Sequence, residues 1–437
     1  MKKYDEYKDS GVAWIGEVPK HWEVIKLKYK YHFQTGATPN TGKKENFEGD
    51  LRWANISDLN GSVVYDTTKH INKEAASKCS MNISPKGSLM YSFKLSVGTV
   101  AFCGEDMYTN EAIASFIPQK NDLKYLFYCA PIFIIHNANR NIYNAPLLNQ
   151  ELIKNALICL PSLNEQTAIA TYLDTHCAKI DNLISIQQKR MALLQELKQS
   201  VITHAVTKGL NPNVEMKPSG VEWIGDVPKH WEVCKLKHYS QVVLGKMLMT
   251  SPPKDSEGLY TLEKYLKSKN VGWLQLFLDE DNIDEMWFNQ YEKSIYKLQE
   301  NDIVMNEGGD IGKVSCWRGV DFDCYIQNSI NKITADYNRV NAGFLCYWLY
   351  NLSSLGYFWS IVSQISIAHL TKEKLSNSPV VLPPISEQAA IASYLDHKCA
   401  TIDTSISNAQ HQIELLQEYK QSLITEVVTG KRKVTDN

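Results

Sequence analysis

The segment Ser10-Gly-Val-Ala-Trp-Ile-Gly-Glu-Val-Pro-Lys-His-Trp-Glu-Val24 recurs almost unchanged as Ser219-Gly-Val-Glu-Trp-Ile-Gly-Asp-Val-Pro-Lys-His-Trp-Glu-Val233. We call these two segments the aromatic blocks. Two further blocks recur, residues 160–174 as 382–396 and residues 193–203 as 415–425. The aromatic block is displaced by 209 residues and the other two by 222, so the second copy carries an insertion between the blocks. Because the period is about half of the 437-residue chain, the sequence predicts one duplicated unit and no short-period solenoid.

Length and composition set broad limits. Each copy has the size of an ordinary domain and can bury its own core. The polar start and the lack of a long apolar run predict a soluble, cytoplasmic protein with no membrane partner. The ten cysteines have no Cys-x-x-Cys spacing and lie in apolar stretches, which indicates reduced, buried thiols. The net charge of -2 predicts no general basic surface, so composition leaves an interaction protein and an enzyme equally open.

The two copies differ most in their middles, at about residues 25–155 and 234–377. Short apolar segments broken by Gly, Asn, Pro and Asp, such as those that begin at Gly87 and Asp302, predict strands joined by turns. Helical patterns begin at Leu123 and Ala342. The middles are therefore predicted to be α+β domains.

A long helix is predicted after each middle, from Asn164 to Gly209 and from Ser386 to Gly430. A stripe of mostly apolar residues at alternating spacings of three and four predicts a coiled-coil seam. One helix per copy favours an antiparallel pair about a pseudo-twofold axis, about 60 Å long at about 1.5 Å per residue, with one globular domain at each end. The stripe consists of Leu173, Cys177, Ile180, Ile184, Gln187, Met191, Leu194, Lys198, Val201 and Ala205, and of Leu395, Cys399, Ile402, Ile406, Ala409, Ile413, Leu416, Lys420, Leu423 and Val427.

These patterns divide the chain into four predicted segments. Residues 1–159 hold the first aromatic block and the first middle domain, and residues 160–210 hold the central helix. Residues 211–381 hold the second aromatic block and the second middle domain, and residues 382–437 hold the C-terminal helix.

The repeated blocks contain few groups for specific chemistry. Large aromatic side chains mainly supply buried area, so we predict a structural docking role for the aromatic blocks and hydrogen-bonded structural roles for His21 and His230. The second pair of blocks has Glu and Gln in the first helical turn, where Glu is already favoured by the helix dipole. Capping alone and docking of a partner remain alternatives for these blocks. Their candidate partner-binding residues are Glu165, Gln166, Tyr172, Glu387, Gln388 and Tyr394.

No catalytic grouping stands out. The run Glu307-Gly-Gly-Asp-Ile-Gly-Lys313 fails the phosphate-loop pattern, because Glu307 stands where Gly is needed and Val314 where Ser or Thr is needed. A tight hairpin is favoured there. An enzyme with Glu307 and Asp310 as acidic groups is a weaker alternative, because Phe93 and Ser96 occupy those positions in the first copy.

The divergent middles carry side chains that suit DNA. Arg, Lys, Asn and Gln make bidentate contacts to bases, and Ser and Thr bind phosphates. Solvated polar loops are the alternative for any one of these residues. The candidates are Thr35, Thr38, Asn40, Lys43, Lys44, Arg52, Asn55, Ser57, Ser92, Lys94 and Asn110 in the first copy, and Lys246, Tyr260, Lys264, Lys267, Lys269, Asn306, Gln327 and Asn328 in the second.

The combination of motifs resembles the specificity subunit of type I restriction-modification systems over nearly the whole chain. The motifs are Trp-Ile-Gly-x-Val-Pro-x-His-Trp in both aromatic blocks, Gly36-Ala-Thr-Pro39, and Leu-Pro-x-x-x-Glu-Gln-x-Ala-Ile-Ala-x-Tyr-Leu-Asp from Leu160 and Leu382. The second copy has Leu244-Gly-Lys-Met247 where the first has Gly-Ala-Thr-Pro, which leaves the correspondence of these loops open.

The resemblance implies a non-catalytic subunit with two target-recognition domains joined by two helices. Each domain is expected to bind one half of an asymmetric bipartite site in double-stranded DNA, with the helices setting the spacer. It also implies docking to two modification (methyltransferase) subunits and to restriction (translocase and nuclease) subunits. No cofactor is expected on this chain, since S-adenosylmethionine, ATP and Mg belong to those partners.

A coiled-coil scaffold with two protein-binding domains is the alternative from another class. Clustering of Lys43, Lys44, Arg52, Lys94, Lys264 and Lys269 on one concave face would favour DNA binding instead.

Overall fold

A computed structural model describes residues 3–119, 121–254, 256, 258–279, 283–362 and 368–434. The chain forms two compact units. Unit 1 comprises residues 1–187 and 411–437, and unit 2 comprises residues 188–410. These units do not follow the four predicted segments, because each one combines the first half of one long helix with the second half of the other.

Unit 1 is built on a mixed sheet with the strand order β4-β11-β8-β9-β6 and a smaller sheet with the order β10-β5-β7. Strand β14 pairs with β3, and β1 with β2. Helix α2 packs its buried face against the larger sheet. The elements are β1 Tyr7–Asp9, β2 Glu17–Pro19, β3 Glu23–Lys26, β4 Phe33–Thr35, β5 Leu51–Ala54, β6 Val63–Val64, β7 Lys69–Ile71, α1 Lys73–Lys78, β8 Leu89–Ser92, β9 Val100–Cys103, β10 Tyr108–Thr109, β11 Ile113–Phe116, α2 Leu123–His136, β12 Asn139–Arg140, β13 Pro146–Leu147, α3 Gln150–Asn155, β14 Leu157–Leu160 and α4 Leu163–Lys208, whose second half belongs to unit 2.

Unit 2 repeats this plan. Its sheets have the orders β18-β24-β21-β22 and β20-β19-β23, with β17 paired to β25 and β15 to β16. Helix α6 takes the place of α2 against the larger sheet. The elements are β15 Met216–Pro218, β16 Asp226–Pro228, β17 Glu232–Lys235, β18 Ser240–Leu244, β19 Tyr260–Leu266, β20 Asp284–Asn289, α5 Gln290–Tyr296, β21 Ile303–Asn306, β22 Val314–Cys316, β23 Tyr325–Ile326, β24 Ile330–Ala335, α6 Ala342–Ser354, α7 Tyr357–Ile361, α8 Lys372–Ser376, β25 Pro379–Leu382 and α9 Ile385–Val428, whose second half belongs to unit 1.

The predicted α+β character, strands and helices of the middles are therefore confirmed. The run from Glu307 to Lys313 joins β21 to β22 as an antiparallel hairpin, with Met305 paired to Val314. Gly309 and Gly312 supply the positive φ angles of 72° and 84° that this turn needs.

The long helices have the predicted bounds to within two residues. All twenty stripe positions are buried or half-buried, as a packed seam requires. Each helix is followed by a glycine in the left-handed conformation, Gly209 with φ 76° and Gly430 with φ 73°, which is the usual C-terminal cap.

The aromatic block holds the helices together in unit 1. The Trp22 indole donates a hydrogen bond of 3.1 Å to Glu165 at the start of α4. A Cβ atom on Gly430, beyond the end of α9, would lie 3.2 Å from the same ring. Further along, Lys420 of α9 donates to Asp181 of α4 at 2.6 Å. The start of one helix thus meets the end of the other, and the helices are antiparallel within this unit.

Unit 2 uses the equivalent residues. Trp231 donates to Glu387 at the start of α9, at 3.1 Å, and a Cβ atom on Gly209 would lie 3.2 Å from the Trp231 ring. Lys198 of α4 donates to Asp403 of α9 at 2.7 Å. The predicted antiparallel pairing and the structural role of the aromatic blocks are confirmed in both units. His21 and His230 bond to Glu165 and Glu387 at 3.0 and 2.8 Å, as expected for structural histidines.

All ten cysteines are free thiols, and most of them are buried. Burial raises the pKa of Cys103 and of Cys159 to about 12, so both thiols stay protonated at neutral pH. In the described part of the chain, no helix is long and apolar enough to cross a membrane.

Candidate nucleic-acid interface

In unit 1, several strand ends bring their loops to one edge of the sheets. The backbone N–H of Ala37 donates to Thr109 at 3.1 Å, Asn110 donates to Ala54 at 2.9 Å, and Phe93 donates to Ala112 at 3.0 Å. We call residues 36–38, 54–58, 92–94 and 109–112 loop edge 1. Segments that are far apart in sequence therefore lie side by side at this edge.

Polar side chains on loop edge 1 are connected. The hydroxyl of Thr38 donates to Glu111, and the Lys94 ammonium lies 3.8 Å from the same carboxylate. The hydrogen bond from Thr38 is the main cause that lowers the pKa of Glu111, which keeps this exposed carboxylate ionised. Asn55 accepts from Ser57 N and Asp58 accepts from Asn55 N, a capping box that fixes the loop.

Unit 2 has a matching edge, formed by residues 245–247, 266–270, 306–308 and 326–329, which we call loop edge 2. Lys246 N donates to Ile326 at 3.0 Å, Gln327 N donates to Leu266 at 3.0 Å, and Glu307 N donates to Ser329 at 2.9 Å. Each of these bonds has a counterpart in loop edge 1, so the same backbone arrangement occurs in both units.

This equivalence resolves the loop correspondence that the sequence left open. A Cβ atom on Gly36 would lie 1.6 Å from the backbone oxygen of Thr109, and one on Gly245 would lie 2.7 Å from that of Ile326, the counterpart of Thr109, and 2.3 Å from that of Gln327. Only glycine allows so close a backbone approach. Gly245 therefore corresponds to Gly36, and Lys246 to Ala37.

The side chains of loop edge 2 differ in kind from those of loop edge 1. Lys267 bonds to Asp284, and the Lys269 ammonium lies 4.0 Å from that carboxylate. The hydrogen bond from Lys267 is the main cause that lowers the pKa of Asp284. Glu307 bonds to His369 at 2.7 Å. Loop edge 2 thus presents Lys267 and Lys269 where loop edge 1 presents Asn55 and Ser57, and it holds an imidazole beside Glu307, where the corresponding residue of unit 1 is the buried Phe93.

The structure sorts the predicted DNA-binding residues by exposure. Those exposed to solvent are Thr38, Asn40, Lys43, Lys44, Ser57, Lys94 and Lys269. Those half-buried are Thr35, Arg52, Asn55, Asn110, Tyr260, Lys264, Lys267, Gln327 and Asn328. The loop edges bring together Thr38, Asn55, Ser57, Lys94 and Asn110 in unit 1, and Lys267, Lys269, Gln327 and Asn328 in unit 2. Arg52 instead pairs with Asp66 at 3.4 Å, and Lys264 lies over the Phe322 ring at 4.4 Å.

Three predicted DNA-binding residues need correction, because their side chains are buried and used internally. Ser92 donates to Leu95 O, and Asn306 donates to Ser268 O at 3.1 Å. Lys246, only 6% exposed, donates to Trp287 O at 2.8 Å and pairs with Glu292. These side chains shape loops and do not face solvent.

Four of the predicted partner-binding residues also have internal roles. Glu165 accepts from Tyr4 at 2.7 Å as well as from Trp22 and His21. Gln388 accepts from Asn341 N, the N-cap of α6, at 2.8 Å. Gln166 makes the equivalent bond to Asp122 N, and Glu387 the equivalent bond to Trp231. The repeated blocks at residues 160–174 and 382–396 therefore connect the aromatic block, the long helix and the α+β middle domain of each copy. Tyr172 is half-buried and Tyr394 is exposed, and their partner contacts stay predictions.

Sequence reasoning missed His369. It lies 62 residues from Glu307 in a stretch without a counterpart motif, so no local pattern connects the two. Glu307 itself stood out as part of a glycine-rich turn and as an acidic group of the enzyme alternative. Within the described residues, no group of three or more His, Cys, Asp or Glu side chains is placed to hold a metal ion.

The fold and its two loop edges define a duplicated protein with one candidate recognition surface in each unit. The profile of the family described as type I restriction modification DNA specificity domain matches residues 19–192 and 228–415, which is more than half of the chain. The chain therefore belongs to this family. It is a specificity subunit, the non-catalytic class of chain in type I restriction-modification systems.

Two curated relatives illustrate the similarity. The type I restriction enzyme MjaIX specificity subunit of Methanocaldococcus jannaschii is 24% identical over 430 residues, which cover 97% of this chain and 96% of that one. The EcoBI specificity subunit of Escherichia coli is 22% identical over 369 residues, which cover 79% of this chain and 75% of that one.

Solved structures share the fold. A chain from a structure described as showing complex assembly and conformational transition of the type I R-M system has a TM-score of 0.71 at 14% identity and covers 94% of this chain and 98% of that chain. The HsdS subunit from Thermoanaerobacter tengcongensis has a TM-score of 0.52 at 15% identity, with 95% and 98% covered.

Proposed function

We propose that each loop edge reads one half of an asymmetric bipartite site in double-stranded DNA. The observation that carries this proposal is the equivalence of the two backbones together with the divergence of their side chains. Asn55, Ser57 and Asn110 in unit 1 correspond to Lys267, Lys269 and Gln327 in unit 2. Base recognition requires a fixed scaffold with variable hydrogen-bonding groups, because each base pair presents its own pattern of donors and acceptors.

The long helices are proposed to set the spacer and to dock two modification subunits. Both copies of the 193–203 block keep apolar residues on the surface, with Leu193 and Leu415 exposed by 64% and 50%. Leu197 and Tyr419 are exposed in the same way. Exposed apolar positions that recur in both copies are typical of a contact surface. Restriction subunits complete the proposed cytoplasmic complex, in which the partners bring S-adenosylmethionine, ATP and Mg.

The isolated chain is proposed to bind DNA weakly. Its net charge is -2, and both Lys267 and Lys269 lie within 4.0 Å of Asp284. Affinity for DNA comes largely from unpaired cations that contact phosphates. We expect affinity for the specific site to rise when the modification subunits are added. Tight binding by the chain alone that does not depend on salt would contradict this.

The function is tested by replacing residues 234–377 with the corresponding segment of another family member in the complete system. Mapping methylated bases in the genome should then show a new sequence in one half of the site and the original sequence in the other. A change in both halves would defeat the assignment of one half to each unit. A protein scaffold without a DNA role would show no site-specific methylation that depends on either segment.

A further inference from the structure

An imidazole is held at loop edge 2 by a buried carboxylate. Glu307 is 8% exposed, and its carboxylate bonds to His369 Nδ1 at 2.7 Å. The His369 side chain is about half exposed, at 52%. Gly308 lies beside the ring, since a Cβ atom there would be 3.4 Å from Nδ1. The pair thus extends from the interior of unit 2 to its surface.

The backbone fixes both members of the pair. Glu307 N donates to Ser329 O at 2.9 Å, and Leu370 N donates to Glu307 O at 2.7 Å. Leu370 is fully buried, and its carbonyl accepts from Asn331 at 2.9 Å. His369 is therefore attached to strands β21 and β24 through its neighbour and not only through its side chain.

The carboxylate determines which ring nitrogen carries the proton. An ionised Glu307 can only accept, so His369 Nδ1 donates the proton in this bond. In the neutral imidazole Nε2 is then an acceptor, and it has no hydrogen-bond partner among the described residues. The arrangement presents one oriented acceptor on a half-exposed ring.

Among the described residues of unit 1, the equivalent position holds no such pair. The residue that corresponds to Glu307 in unit 1 is Phe93, which is buried and donates through its backbone N–H to Ala112 as Glu307 does to Ser329. The backbone arrangement is thus the same in both units, while the side chains differ. A position of this kind is where we expect a difference between the two half-sites.

We propose that His369 reads a base in the half-site of unit 2 by accepting a hydrogen bond at Nε2 from an exocyclic amino group, either cytosine N4 or adenine N6. Glu307 is a positioning residue that sets the tautomer and orientation of the ring. In the major groove these amino groups are the donors that the bases present, and a matched contact discriminates against the wrong base. The inference rests on the proposed function, since it requires loop edge 2 to face DNA.

The test uses the complex of this chain with its modification subunits and duplexes that carry the site found by genome mapping. Each cytosine or adenine of the unit 2 half-site, except the base that accepts the methyl group, is replaced in turn by 2-pyrimidinone or purine, which lack the amino group. At one position, the wild-type complex should lose about 10- to 100-fold in methylation rate. His369→Ala should lose a similar factor on the natural duplex and nothing more on the analogue. The position that responds distinguishes cytosine from adenine.

Conservative variants separate positioning from folding. His369→Gln keeps an acceptor and should retain part of the preference for the natural base over its analogue. Glu307→Gln should weaken that preference at the same base pair only. Asn338→Ala, at the opposite end of β24 from loop edge 2, is the matched control and should match wild type. Thermal unfolding of each variant shows whether the fold is intact.

The inference is overturned if His369→Ala keeps the wild-type preference for the natural base at every position. It is also overturned if the loss of methylation rate caused by the analogue and the loss caused by His369→Ala are additive. An equal loss of rate on all sequences would assign the pair a structural role instead. The proposed function fails separately, if replacement of residues 234–377 leaves the methylated sequence unchanged. If replacement of residues 234–377 changes the methylated sequence but His369→Ala has no effect, only the assignment to His369 is defeated.

Discussion

In unit 1 the Trp22 indole binds Glu165 and packs on Gly430, and in unit 2 the Trp231 indole binds Glu387 and packs on Gly209. The loop edges differ between the units, because the Thr38–Glu111–Lys94 group of unit 1 has no counterpart among the residues that the structure describes in unit 2. The indole contacts that join the two long helices occur in both units, whereas the Thr38–Glu111–Lys94 group on loop edge 1 occurs in one. The difference separates residues that build the fold from residues that are proposed to select a DNA sequence.

The largest expected effect concerns the two buried tryptophans. Trp22→Ala and Trp231→Ala should each cost about 3 to 5 kcal/mol of unfolding free energy, because each leaves a cavity and a carboxylate without its donor. Denaturant unfolding of the full chain measures this cost. Trp223→Ala is the control in the same block, since Trp223 is 39% exposed and should cost about 1 kcal/mol or less. Equal losses of unfolding free energy for Trp22→Ala and Trp223→Ala would contradict the structural role of the aromatic block.

The glycines at the loop edges should come next. Gly36→Ala and Gly245→Ala each force a Cβ atom onto a backbone oxygen, at 1.6 and 2.3 Å, so we expect losses of about 2 to 3 kcal/mol, larger at Gly36. Gly42→Ala is the control, because its Cβ would meet only the Asn40 side chain, at 3.2 Å. Thermal unfolding and methylation at each half-site report the outcome. Tolerance of alanine at both glycines would show that the loops do not approach as closely as described.

A smaller effect tests a contact that unit 2 lacks. Tyr4 donates to Glu165 at 2.7 Å, while the second copy has the exposed Asn213 at the corresponding position. Tyr4→Phe should destabilise the chain by about 1 to 2 kcal/mol, because a hydrogen bond to a charged group is lost. Tyr143→Phe, whose ring is 83% exposed, should leave stability unchanged. A neutral Tyr4→Phe would mean that the two aromatic blocks are equally stabilised.

The smallest effect concerns the ion pairs between the long helices. Double-mutant cycles with Asp181→Asn and Lys420→Met, and with Asp403→Asn and Lys198→Met, should give coupling energies of about 0.5 kcal/mol at low salt. The unit 2 pair should couple more strongly, since Lys198 is 16% exposed and Lys420 is 31% exposed. A stronger unit 1 pair would contradict this order.

Several features were predictable from local pattern. The stripe from Leu173 to Ala205 and its repeat gave the buried face of both helices, because burial along a helix follows its period. The glycines at 209 and 430 marked the helix ends for the same kind of local reason.

Other features depended on distant segments. Lys246 lies in a polar loop and was predicted to contact DNA, but Trp287 and Glu292 from the β20 and α5 region surround it. Glu165 looked like a capping residue or a partner contact, and instead it accepts hydrogen bonds from side chains more than 140 residues away. Neither contact leaves a periodic signal, since it joins single residues across the fold.

The sequence by itself determined the duplication, the α+β class, the two long helices with their seam, and the membership of the specificity family. These properties follow from the repeated sequence blocks and from the local periodicity of apolar residues, both of which can be recognised without knowing which distant segments are in contact. Only the tertiary structure decided that Gly245 corresponds to Gly36, that Lys246 and Asn306 are buried, and that Glu307 holds His369 at the surface. Those facts depend on which strands and loops lie next to each other, and chain topology alone brings such segments together.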